Sequence, residues 1–213
     1  MAAKSALISG MGVALGLVQG LVSAVRELGG TDEQIHELVT EQGKPKLVEM
    51  ARVVIGAVKE LLLRKVGIAA VSANKRFVAD DEAAKRANVG YRSDQFKHLF
   101  GDKVEQDVPA ATVAIQSLEK KSVDPPILTE LGDKARLPLA YLFELMKKQS
   151  QGQPGKLLTN GYANIIYAVG NDSNTWAVNA YWSEFSRYWG VYAHSVAYPD
   201  PWRAGNQILS CDS

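Results

Sequence analysis

Three runs near the C-terminus decide the architecture: GYANIIYAV (161–169), TWAVNAYW (175–182) and RYWGVYAHSVAY (187–198). Each is short, rich in aromatic and β-branched residues, and bounded by turn formers, the pattern of a buried or half-buried strand. GNDSN separates the first two and SEFS the next two, and both gaps are of hairpin size. Alternation places Trp176, Val178, Ala180 and Trp182 on one face of the second strand, with Ala177, Asn179 and Tyr181 on the other. In the third, Trp189, Val191, Ala193 and Ser195 oppose Tyr188, Gly190, Tyr192, His194 and Val196. The chain then bends through YPDPWRAG (198–205) and resumes with NQILS (206–210). That ending reads as a fourth strand covering an open edge. Trp202 would close the end of the sheet, and Gly205 would supply a backbone angle that other residues resist. The expectation is an antiparallel β-meander of about four strands over residues 151–213.

Composition changes where this region begins. All four tryptophans and six of the eight tyrosines follow residue 150, whereas charged residues are concentrated before it. Residues 1–150 read as a mainly helical portion packed on the sheet, giving an α+β protein with a boundary near residue 153 at QGQPGK. Thr31 and Gln34 form a capping box for a helix running to about Thr40. Pro45 opens a second helix, whose apolar stripe from Leu47 to Leu62 extends it to about Lys65. That aliphatic stripe argues for core packing against a DNA-reading helix, which needs polar and basic side chains. One or two short helices are expected before Gly101, with Phe96, Leu99 and Phe100 on one face. ATVAIQSL (111–118) alternates as a strand would. A short helix follows with Asp124 as its cap and Pro125 in its first turn, and a longer one spans Leu137 to Gln149.

The N-terminal run SALISGMGVALGLVQGLVSAV (5–25) carries no charge, and Gly12, Gly16 and Gly20 stand four apart. It reads first as a soluble helix packed through its small residues. The alternatives are a membrane-associated helix and a secretory leader.

The sequence excludes several chemistries. A formal charge of +1 gives no overall footprint of a nucleic-acid binder. The single Cys211 can form neither an internal disulfide nor a thiolate metal site, and a cytoplasmic location is the default. No phosphate-cradling glycine loop is present, and HELVT at His36 lacks the second histidine of a zinc protease. His36, His98 and His194 are too dispersed for a metal site. No cofactor, metal or catalytic residue is assigned.

The leading reading is a non-catalytic module that binds a protein or small molecule through the aromatic sheet, with Tyr181, Tyr192, His194 and Trp202 as its surface. The alternatives are a protein tethered to a membrane by residues 5–25 and a small enzyme with a site near His194 and Cys211. A basic strip of Lys75, Arg76, Lys85, Arg86, Arg92 and Lys97 is interleaved with acids and reads as a solvated surface, leaving nucleic acid a weak variant.

The blocks LGGTDEQIHELVTEQG (28–43), SVDPPILTELG (122–132), LLTNGYANIIYAV (157–169) and WGVYAHSVAYPDPWRAGNQILSCDS (189–213) span most of the chain in order. Through them it resembles a family of uncharacterised proteins from candidate-phylum (Patescibacteria-type) bacteria. The resemblance implies no reaction, ligand or catalytic residue. The family's closing block runs W-x-A-G-x-Q-x-F-S-x-N-S, and Leu209, Cys211 and Asp212 depart from it, which argues against a thiol mechanism.

Overall fold

The computed structural model describes residues 16, 18–38, 40, 43–49 and 61–212. The chain forms two compact units, Met1–Glu60 and Leu61–Ser213. In the first, residues 18–27 and 44–49 are helical and flank α1 (Asp32–Leu38). The capping box forms as the spacing dictates: Thr31 N donates to Gln34 Oε1 at 3.0 Å, and Gln34 N to Thr31 Oγ1 at 3.4 Å. Residues 5–15 and 17 of the apolar N-terminal run lie outside the described residues, as does the stretch 50–60 of the expected second helix. Among the described residues no helix is long and apolar enough to cross a membrane.

The second unit is α+β. Its strands are β1 (Leu63–Val71), β2 (Asn74–Val78), β3 (Val89–Arg92), β4 (Val104–Val108), β5 (Ala111–Leu118), β6 (Asn164–Val169), β7 (Thr175–Ser183), β8 (Tyr188–Ser195) and β9 (Gln207–Cys211). Seven of them make one sheet in the order β1-β5-β9-β6-β7-β8-β3, and β2 pairs with β4 separately. The aromatic strands and the returning terminal strand form where the pattern places them. The four-stranded antiparallel meander is nevertheless corrected to a mixed seven-stranded sheet. β9 does not extend the hairpins at a free edge. It inserts between β5 and β6, antiparallel to the first and parallel to the second, and β3 adds to β8 in parallel. Strands from both sides of residue 150 therefore share one sheet. Leu63–Lys65, expected as the end of a helix, open β1 instead.

Local chemistry sets the helices. α2 (Asp81–Ala87) is capped by Asp80, whose carboxylate accepts from Ala83 N at 2.9 Å. It ends at Asn88 in the left-handed conformation, and that side chain donates to Ser150 O and Arg187 O. α3 (Asp94–Phe100) is capped by Ser93 and buries Phe96, Leu99 and Phe100. α4 (Asp124–Leu131) leads into a 3-10 turn at Gly132–Lys134. α5 (Leu139–Lys148) begins just after Pro138, and a carboxylate from another element serves its first amides: Glu105 of β4 accepts from Leu139 N and Ala140 N, both at 2.9 Å.

The sheet carries a core on each face. One face holds Val113, Ile115, Leu209, Ile166, Val178, Trp182, Trp189 and Val191 against α5 and α3. Trp182 and Trp189 meet edge to face at 5.5 Å, a contact worth about 1 kcal/mol beyond the area it buries. QGQPGK is not a loose linker. Buried Gln149 donates to Gln153 O and Leu157 O and accepts from Leu157 N, folding the loop onto the sheet. Gly152, at φ +70°, lies against the Trp182 indole, where a Cβ would approach to 2.2 Å. The other face is covered only in part. α4 and the 3-10 turn sit over Leu63, Leu118, Ile165, Tyr167, Ala177 and Ile208. The same face continues across β7, β8 and β3 as a row of half-exposed rings.

Candidate functional site

Register brings the candidate rings together. Asn179 of β7 lies opposite Tyr192 of β8, Ala177 opposite His194, and Tyr181 opposite Gly190. Gly190 has no side chain to fill the space beside Tyr181, so the Tyr181 ring lies over it. Tyr181 and Tyr192 stack at 5.4 Å with their hydroxyls 2.9 Å apart. Tyr192 and His194 lie parallel, 6.3 Å between centroids, because they are two residues apart on one strand. His194 meets Trp202 edge to face at 5.9 Å and Tyr198 at 5.8 Å. Tyr91, on the short strand β3, joins the other end at 5.1 Å from Tyr192.

All four residues singled out from sequence, Tyr181, Tyr192, His194 and Trp202, thus belong to one run of rings, each half-buried. Sequence reasoning missed Tyr91, because four-residue β3 carries too little periodicity to read. It placed Tyr198 at the end of the third strand-like run, where the chain bends, without a role; β8 ends at Ser195.

The row ends on a buried acid. Asp124, expected as a helix cap, does not cap α4. The first residues of that helix include Pro125 and Pro126, which have no N–H to offer, and no side-chain cap bond forms. The carboxylate turns inward, and its Oδ1 accepts from Tyr167 Oη and Trp202 Nε1, both at 2.7 Å. Burial pushes the Asp124 carboxyl above its ordinary value, although the Trp202 and Tyr167 bonds and the nearby His194 oppose the shift. Burial likewise holds His194 below the usual histidine value, with the Asp124 charge pulling the other way. The Tyr192 hydroxyl is raised by burial and by the Tyr181 bond, so it stays protonated at neutral pH.

A second cue sits inside the row. Asn179 is only 7% exposed, and among the described residues its Oδ1 has no hydrogen-bond partner. A buried acceptor left without a donor costs about 1–3 kcal/mol. The four-residue stretch Asn160–Ala163 and residues Pro201, Trp202, Arg203 and Asn206 line a cavity of about 460 Å3 on Trp202. Ala163 belongs to the same sheet face, as it packs against that core.

The terminal segment is built as a fixed wall. Trp202 and Ser122 exchange backbone bonds, Trp202 N to Ser122 O at 2.8 Å and Ser122 N to Trp202 O at 3.2 Å. Gly205, at φ +89°, turns the chain so that its N–H reaches Leu118 O at 2.8 Å.

The proposed pairing of His194 with Cys211 does not form. Cys211 packs with Leu209 against the opposite core, and β9 is three strands from β8, roughly 14 Å at the usual strand spacing. Its Sγ instead lies 3.8 Å from Arg136 O. Among the described residues no group of three histidine, cysteine or acidic side chains could hold a metal. Comparison with protein-family models, curated proteins and solved structures returns no match.

Proposed function

We propose that this chain is a binding module that takes a neutral, hydroxyl-bearing ring ligand, of which a sugar is the simplest class, on its open aromatic sheet face. The observation that carries this reading is the continuous row of part-exposed rings, Tyr91, Tyr181, Tyr192, His194 and Trp202, on one face of the sheet. Rings offer flat apolar surface for the C–H face of a ligand. The Tyr181 and Tyr192 hydroxyls, 2.9 Å apart on that floor, offer polar partners to a ligand hydroxyl. Placing a few fixed polar groups in an aromatic floor is how small-molecule sites achieve orientation.

Calorimetric titration of the full chain with cello-, chito- and malto-oligosaccharides tests the proposal. One of these series binds, and Y192A weakens that binding about tenfold, as loss of one stacking ring would. Absence of binding across all three series, or binding that Y192A leaves unchanged, overturns the reading.

A further inference from the structure

A separate cleft of about 690 Å3 opens on the opposite side of the sheet, between β2, α2 and α5. Its volume follows from small residues: Ala83 and Ala87 of α2 and Ala140 of α5 face each other where larger side chains would fill the gap. Phe77 and Phe143, 5.2 Å apart, are part of its apolar wall. Arg76, Arg86, Lys147 and Lys148 line it, against one carboxylate, Glu144.

That carboxylate is already committed. Glu144 accepts from Ser72 N at 2.8 Å and Ser72 Oγ at 3.2 Å, and pairs with Lys148 at 2.7 Å. Those partners hold it below the usual carboxylate range despite the opposing effect of burial. Lys148 is fixed in place by Glu144 and by Ala70 O at 3.0 Å. Among the described residues Arg86 pairs with Glu82, at 3.4 Å, in an exposed pair that contributes little. No described acidic group meets the side chains of Arg76 or Lys147. Cations from three different elements therefore converge on one concave space with too few acids to neutralise them.

We propose that this cleft binds a small phosphorylated ligand, with Arg76 and Lys147 as its principal phosphate contacts and the Phe77–Phe143 wall against the ligand's apolar part. Arginine supplies a planar fork of donors suited to phosphate oxygens, and lysine a mobile point charge. The concavity and apolar wall set the site apart from a solvated basic surface and favour a small molecule over a polymer backbone. The site is independent of the aromatic face, so either can fail without the other.

The test is a titration of the full chain with inorganic pyrophosphate, followed by calorimetry at low and high ionic strength. Binding is saturable, weakens with salt, and drops about tenfold in R76Q and again in K147Q, while K97Q, on α3 outside the cleft, binds as the parent does. All three positions are exposed, so the variants fold, as circular dichroism will show. Lack of pyrophosphate binding overturns the proposal. Equal losses in K97Q and R76Q also overturn it, since they mark diffuse attraction to net charge.

Discussion

Trp202 donates its indole N–H to Asp124 Oδ1 at 2.7 Å across 78 residues of sequence, and Tyr167 Oη donates to the same oxygen at the same distance. One carboxylate oxygen thus ties the first turn of α4, the middle of the sheet and the terminal wall together. Removing the acceptor with D124A leaves a wholly buried tyrosine hydroxyl and a half-buried indole unpaired, and should cost about 2–4 kcal/mol in denaturant unfolding. D124N keeps an oxygen for both donors and should cost far less. Equal losses in the two variants would show that the bonds are not what matters.

His194 makes folding pH-dependent. Its pKa is lower in the folded chain than the ordinary 6.5, so in the window below that value the unfolded chain holds more protons. Its stabilising contribution is complete above about pH 6.5 and is lost as pH falls through the folded pKa. H194Q should flatten the decline in unfolding free energy from about pH 7 to pH 5. Asp124 works in the other sense. Its raised pKa means the folded chain keeps that proton longer, so its contribution is present at low pH and declines as pH rises above the ordinary 3.8. D124N should remove that decline.

Gly152 cannot accept a side chain. At φ +70° a Cβ is strained, and it would reach 2.2 Å from the Trp182 ring on the buried face. G152A should destabilise the chain by about 3 kcal/mol, combining backbone strain with overpacking. A thermal midpoint unchanged from the parent would contradict the packing of this loop.

Glu105 is the N-terminal cap of α5 supplied from another element, through two amide contacts at 2.9 Å. E105A should cost about 1–3 kcal/mol, and E105Q less, because one oxygen acceptor survives. Amide exchange at Leu139 and Ala140 should quicken in E105A, and unaltered exchange there would count against the cap.

The sheet's interior strands were legible because their residues are committed twice over. β6, β7 and β8 are aromatic or β-branched and turn sharply between runs, so local preference and burial agree. β1 was not legible. Leu63 follows Leu61 and Leu62 in an aliphatic stripe with helical spacing, and only pairing to β5 decides that Leu63 starts a strand. The place of β9 was equally hidden: NQILS reads as a strand, but insertion between β5 and β6 depends on Gly205 and Leu118, far apart in sequence. At the candidate site, period-two alternation put Tyr192 and His194 on one face of their strand, and the β7–β8 register adds Tyr181 to it. The inward turn of Asp124 was invisible because an acid before two prolines has the sequence of a cap. The cleft at Arg76 and Lys147 was invisible because its cations come from separate elements.

The most direct test of the ring-ligand account is the indole N–H spectrum of the four tryptophans during titration with the oligosaccharide that binds. Trp182 and Trp189 are buried on the far face, and Trp176 bonds Asp172 there, whereas Trp202 alone borders the row. The account predicts that the Trp202 signal, identified by W202F, shifts with ligand while the other three hold still. A Trp202 signal that does not move, or shifts spread across the far-face indoles, would contradict it.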